Sequence, residues 1–201
     1  MRTACCLSVL LVPVLVAAGE PGKSVEKSVP AKAAGRWAPT SDYEERQIEG
    51  WRVLVNKEFA RTQPKLLEDT LKLLGHQLYL IPRYVPAKAV EKIRQVTIWV
   101  EEKEPNHPCM AYHLDPGWLR AHNMNPDKAG CAEIANARSF LSWCHEQPWM
   151  VFHELAHGYH HRFLPDGYGN AELRAAYERA KAAKLYDQVL HFTGKTVRAY
   201  A

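Results

Sequence analysis

The sequence predicts an α+β domain in which one small mixed sheet packs on helices. Three observations predict it. Two short runs dense in β-formers, "WRVLV" (51–55) and "QVTIWVEE" (95–102), stand on either side of a long stretch of helical period. The C-terminal third is rich in Ala, Glu, Lys, Arg and Leu, the residues that lose least on entering a helix. The resulting order of β, α, α, β, a brief third β and then two more helices suits a single modest sheet, and not the strict alternation of a parallel α/β fold.

The apolar stretch Ala4–Val16 follows an early Arg2 and leads into "VAA". Small residues at 16 and 18 suit signal-peptidase cleavage after Ala18, so residues 1–18 read as a signal peptide of a secreted or periplasmic protein, with a retained N-terminal anchor as the alternative. No second stretch suggests a membrane span in the mature chain. Residues 19–45, with Pro, Gly, Ser, Lys and Ala and few large apolar side chains, read as a flexible linker, and 46–201 as the domain. At 47% hydrophobic and 24% charged residues, the chain can bury a core. Its net charge of +4 is spread out, with no Lys/Arg cluster interleaved with aromatics, so no nucleic-acid partner is expected.

From Thr62 the residues Leu66, Leu67, Thr70, Leu71, Leu74 and Leu78 share a helical face, with Pro64 in the first turn and Pro82 closing the far end. A shorter helix follows Pro86 through Val90 and Ile93. Residues 105–130, punctuated by four prolines and two glycines, read as loop. "CAEIAN" (131–136) suggests a brief strand. Pro148 suits the first position of the next helix, which ends before "PDGYG" (165–169), and a last helix runs through "NAELRAAYERAKAAKLYDQVL" (170–190). Cys5 and Cys6 leave with the signal. Of the remaining cysteines, Cys109 and Cys131 flank the loop and are the preferred disulfide pair in an oxidising compartment, with Cys144 buried and free; three free thiols are the alternative.

The chemistry concentrates in "VFHELAHGYHHRF" (151–163). His153 and His157 lie four apart, on one face of a helix, where both imidazoles reach a single ion. Glu154 projects beside that ion, where a carboxylate can take a proton from water and pass it to a leaving amine. His160 and His161 read as supporting or solvent-facing, since a straight helix carries His161 about 6 Å beyond His157. His107, His113, His122 and His145 read as surface residues. No histidine stands three residues beyond His160, where Phe163 lies, so Glu172 and Glu178 are the weaker in-chain candidates for a third ligand.

The segments "QPWMVFHELAHGYHHRFL", "AELRAAYERAKAAKLYDQVL" and "GKTVRAYA" resemble secreted bacterial zinc metallopeptidases of the anthrax lethal-factor-like zincin group. The resemblance runs from about residue 51 to the end and is most specific over 147–201. It implies a zincin-like fold, one Zn2+ held by His153 and His157, Glu154 as general base, and a protein or peptide substrate. It also implies that Tyr200, in "RAYA", donates a hydrogen bond to the oxyanion. The third ligand would be a glutamate a few residues further on, beyond Ala201, which makes this chain either a fragment or a degenerate member. Two rival readings stand beside the peptidase: a secreted binding module that keeps the fold without chemistry, and a zinc hydrolase acting on a bond other than a peptide.

Overall fold

The computed structural model describes residues 37–190 and 195–197. The expected signal peptide, most of the expected linker and Tyr200 lie outside them. Tyr43–Ile48 (β1), Trp51–Asn56 (β2), Ile98–Val100 (β3), Ala132–Ile134 (β5) and Met110–Tyr112 (β4) form a mixed sheet in that spatial order.

The first strand lies earlier than the sequence suggests. Tyr43–Ile48 (β1) pairs antiparallel with Trp51–Asn56 (β2), so residues 43–45 belong to the sheet and not to a linker. Their polar, alternating side chains conceal this, because β1 is an edge strand with only Tyr43 fully buried. The turn is two residues long, with Glu49 at φ 51° and Gly50 at φ 86°, the left-handed pair a tight hairpin requires.

Two helices, Lys57–Thr62 (α1) and Pro64–Tyr84 (α2), lead to Ala87–Ile93 (α3) and then to Ile98–Val100 (β3), which pairs parallel with β2. In α2 the residues Leu67, Thr70, Leu74, Leu78 and Ile81 form the buried stripe. Pro82 does not close α2; it lies inside the helix, with its exposed ring away from that stripe. An interior proline costs about 3 kcal/mol, and burial of Leu78 and Ile81 offsets it.

The region expected to be loop contains Met110–Tyr112 (β4) and Pro116–Ala121 (α4). Then come Ala132–Ile134 (β5) and Ala137–Trp143 (α5). β5 pairs parallel with β3, and β4 runs antiparallel to β5 at the sheet edge. This register overturns the expected disulfide. Met110 pairs with Ile134 and Tyr112 with Ala132, so Cys109 stands beside Ala135, to which its carbonyl is bonded at 2.7 Å. Cys131 lies four residues away along the ladder, about 13 Å, where bridging fails beyond about 7 Å. Cys109, Cys131 and Cys144 are all free thiols, and Cys144 is buried as expected.

The sheet has two different faces because successive side chains alternate. Val53, Val55, Ile98, Val100, Ala132 and Ile134 face a core shared with the helices. The intervening Leu54 and Trp99 join Tyr43 on the other side. There Lys128 bonds Glu101 at 2.8 Å and also Glu133, Tyr43 donates to Glu101, and His113 lies 2.6 Å from Glu133. His113, expected at the surface, is 3% exposed: its place just past β4 carries it under the chain that covers this face.

Met150–Phe163 (α6) packs against β4, α2 and α3. It begins two residues after Pro148, following a turn in which Met150 N–H donates to Gln147 O at 3.1 Å. Val151, Leu155 and Gly158 are its fully buried positions beyond the first residue. A Cβ on Gly158 would meet Val96 Cγ2 at 2.7 Å and Tyr112 Cε2 at 3.1 Å, so glycine there lets α6 lie against β4. The last helix, Ala171–Ala182 (α7), is shorter than expected, and the chain then turns through Lys184 at φ 56°. A small antiparallel pair, Val189–Leu190 (β6) with Thr196–Val197 (β7), follows.

Candidate metal centre

Because Val151, Leu155 and Gly158 face inward, the positions between them turn His153 and His157 toward solvent. The two Nε2 atoms lie 3.1 Å apart. With zinc–nitrogen bonds of about 2.0–2.1 Å, that separation subtends about 100° at a common ion, near the tetrahedral angle. The residues present therefore fit a shared ion through two ligands. Burial, with the neighbouring His153 and His160, holds the His157 ring below its usual pKa, which favours the neutral form that ligation needs.

α6 cannot cap itself, since Trp149 at its N-cap offers no side-chain hydrogen bond. The buried side chain of Gln77 on α2 accepts from Val151 N–H at 3.1 Å instead. This contact holds the turn that carries His153 and Glu154.

Glu154 points between α6 and β4 into a cleft of about 430 Å³ whose walls include Met110, Tyr112, His157 and Tyr168. Burial pushes its carboxyl up to about 7, while the Tyr112 backbone N–H beside it works the other way. It also borders a second hollow, of about 300 Å³, with Trp149 and His153. The carboxylate thus stands at the middle of a depression that continues in both directions along the helix.

Tyr168 is a site residue that sequence reasoning passed over. Asp166 and Gly167, at φ 58° and φ 52°, turn the chain back over the end of α6. The Tyr168 hydroxyl then donates to His157 O at 3.1 Å and lies 3.3 Å from His157 Nδ1. Accepting a proton bond from Nδ1–H keeps that proton away from Nε2, the nitrogen facing His153. The available signal was a tyrosine set between two glycines directly after the histidine-rich helix. Tyr112, on the equally unrecognised β4, hydrogen-bonds His161 Nδ1 at 2.9 Å.

The other expected ligands do not join the pair. Glu172 and Glu178 are exposed on α7, and among the described residues no group of three or more His, Cys, Asp or Glu is placed to hold a metal ion. Tyr200 lies outside the described residues. Comparison of the chain with protein-family models, curated proteins and solved structures gives no match.

Proposed function

We propose that the protein is a zincin-like, zinc-dependent metallopeptidase that hydrolyses peptide bonds, with His153 and His157 as metal ligands and Glu154 as general base. The observation that carries this reading is the 3.1 Å approach of the two Nε2 atoms beside a half-buried carboxylate in an open cleft. When bound, zinc supplies Lewis-acid polarisation of a carbonyl and water that ionises near neutral pH. The chain's own contributions are geometric and acid–base. Glu154 holds the attacking water, takes its proton and returns one to the leaving nitrogen. β4, at the sheet edge, offers backbone groups along which an extended peptide can lie. In this reading a third ligand comes from outside the described residues, Tyr200 stabilises the oxyanion, and residues 1–18 direct export.

The test combines metal content with turnover. Glu154→Gln should retain zinc and lose cleavage of an unfolded protein substrate by about 10²-fold or more, whereas His157→Ala should lose the zinc itself. Stoichiometric zinc without any cleavage would instead favour a binding module. Turnover of esters or non-peptide amides alone would favour a different hydrolase.

A further inference from the structure

Next to the Glu154 cleft lies another concavity of about 300 Å³, and the two share Tyr112 and Leu114. Its remaining walls include His107, Trp118 and Leu119. Leu114 and Trp118 are 48% and 42% exposed. Large apolar side chains left open in a concave site, and not scattered on a convex surface, mark a place that binds something apolar. The indole is also firmly held. Asp115 Oδ1 accepts from Trp118 N–H at the start of α4, Leu119 anchors α4 in the interior, and the His122 ring stacks on the indole at 3.8 Å. A rigid aromatic wall loses little entropy when a ligand packs on it.

We propose that this concavity is a specificity subsite that takes one large apolar or aromatic side chain of a polypeptide lying along β4; the proposal rests on the peptidase reading. Its position follows from strand geometry. Tyr112 faces Glu154 through its backbone N–H, and Leu114 lies two residues further along the chain. A strand advances about 3.3 Å per residue, so a peptide beside β4 delivers to this pocket the side chain two or three positions from the bond that Glu154 serves. The occupant's chemistry follows from the lining. Aromatic and aliphatic side chains share the walls with the imidazoles of His107 and His113 and the carboxylate of Asp115, so a large apolar side chain fills the pocket and a small one leaves it unfilled.

The experiment uses the full chain loaded with zinc and matched fluorogenic peptides that carry Phe, Ala, Glu or Lys at the second and third positions on each side of the cleaved bond. Wild type should favour Phe over Ala by at least tenfold in kcat/KM at one of these positions. In Trp118→Ala that ratio should fall toward one, and Leu114→Glu should move the preference toward Lys. An unchanged Phe-to-Ala ratio in both variants would overturn the subsite even if the peptidase reading holds. If wild type cleaves none of the peptides, the peptidase reading fails, and the subsite is judged by fluorescence anisotropy with the same labelled Phe peptide. Weaker binding to Trp118→Ala than to wild type supports the pocket, and equal binding overturns it.

Discussion

Tyr168 links two parts of the site that the sequence separates, the histidine helix and the turn that follows it. Its hydroxyl donates to the carbonyl of His157 and lies beside Nδ1, where it holds the ring's orientation and favours the tautomer with its proton on Nδ1. Hydrogen-bond partners of this kind typically carry about 10–100-fold of metal affinity. Tyr168→Phe should therefore weaken zinc binding by about tenfold on that scale, while the thermal midpoint of the metal-free protein barely moves, because the side chain is 45% exposed. Calorimetric titration with zinc, alongside thermal unfolding of both apo proteins, checks this. Equal affinity in the two would reduce the contact to an incidental one.

At the scale of elements, the site is where α6 meets β4 on one side and α2 on the other. α2 contributes more than packing. Gln77 is 4% exposed and caps an orphan N–H in the first turn of α6 from a helix more than sixty residues earlier. Replacing it by Ala leaves Val151 N–H buried and unpaired. The expected cost is about 1–3 kcal/mol, read as a lower urea midpoint. Because His153 sits within the same turn, zinc affinity should fall as well. Gln77→Glu, which keeps an acceptor at the helix N-terminus, should recover part of both. If Gln77→Ala lowers stability but leaves zinc binding intact, α6 does not depend on this cap to place its ligands.

For the whole molecule, the second face of the sheet sets the acid limit. Burial alone would raise the pKa of Glu133, but the His113 hydrogen bond and the Lys128 charge outweigh it and hold the carboxyl below its usual value. Burial alone would likewise lower Lys128, yet Glu133 and Glu101 raise it. A carboxylate with a depressed folded pKa stabilises the protein above its unfolded pKa of about 4.3, and that contribution is lost as pH falls through the folded value. The urea midpoint should therefore drop as pH falls below about 4, with a shallower acid slope in Glu133→Gln. Lys128→Met strands two buried carboxylates and should cost about 3–5 kcal/mol, a large share of the stability of a small domain. A midpoint for Glu133→Gln that follows the wild-type acid slope would show that another group sets the limit.

What the sequence determined by itself is periodic and local. The stripe of α2, the short α3, the strands at 51–56 and 98–100, and the His153–Glu154–His157 constellation are each written in the spacing of neighbouring residues. A helix converts that spacing directly into a shared face, so the pairing of His153 with His157 was legible without a partner. Tertiary structure alone decided what depends on residues far apart. β4 is three residues long and is a strand only because β5 pairs with it. The first half of β1 reads as linker until its pairing with β2 is seen. The register of β4 on β5 separates Cys109 from Cys131, and the fold buries His113, brings Gln77 to the start of α6 and folds Tyr168 back onto His157. Strand pairing and hydrogen bonds between distant side chains leave no period along the chain, and the walls of this site are built from them.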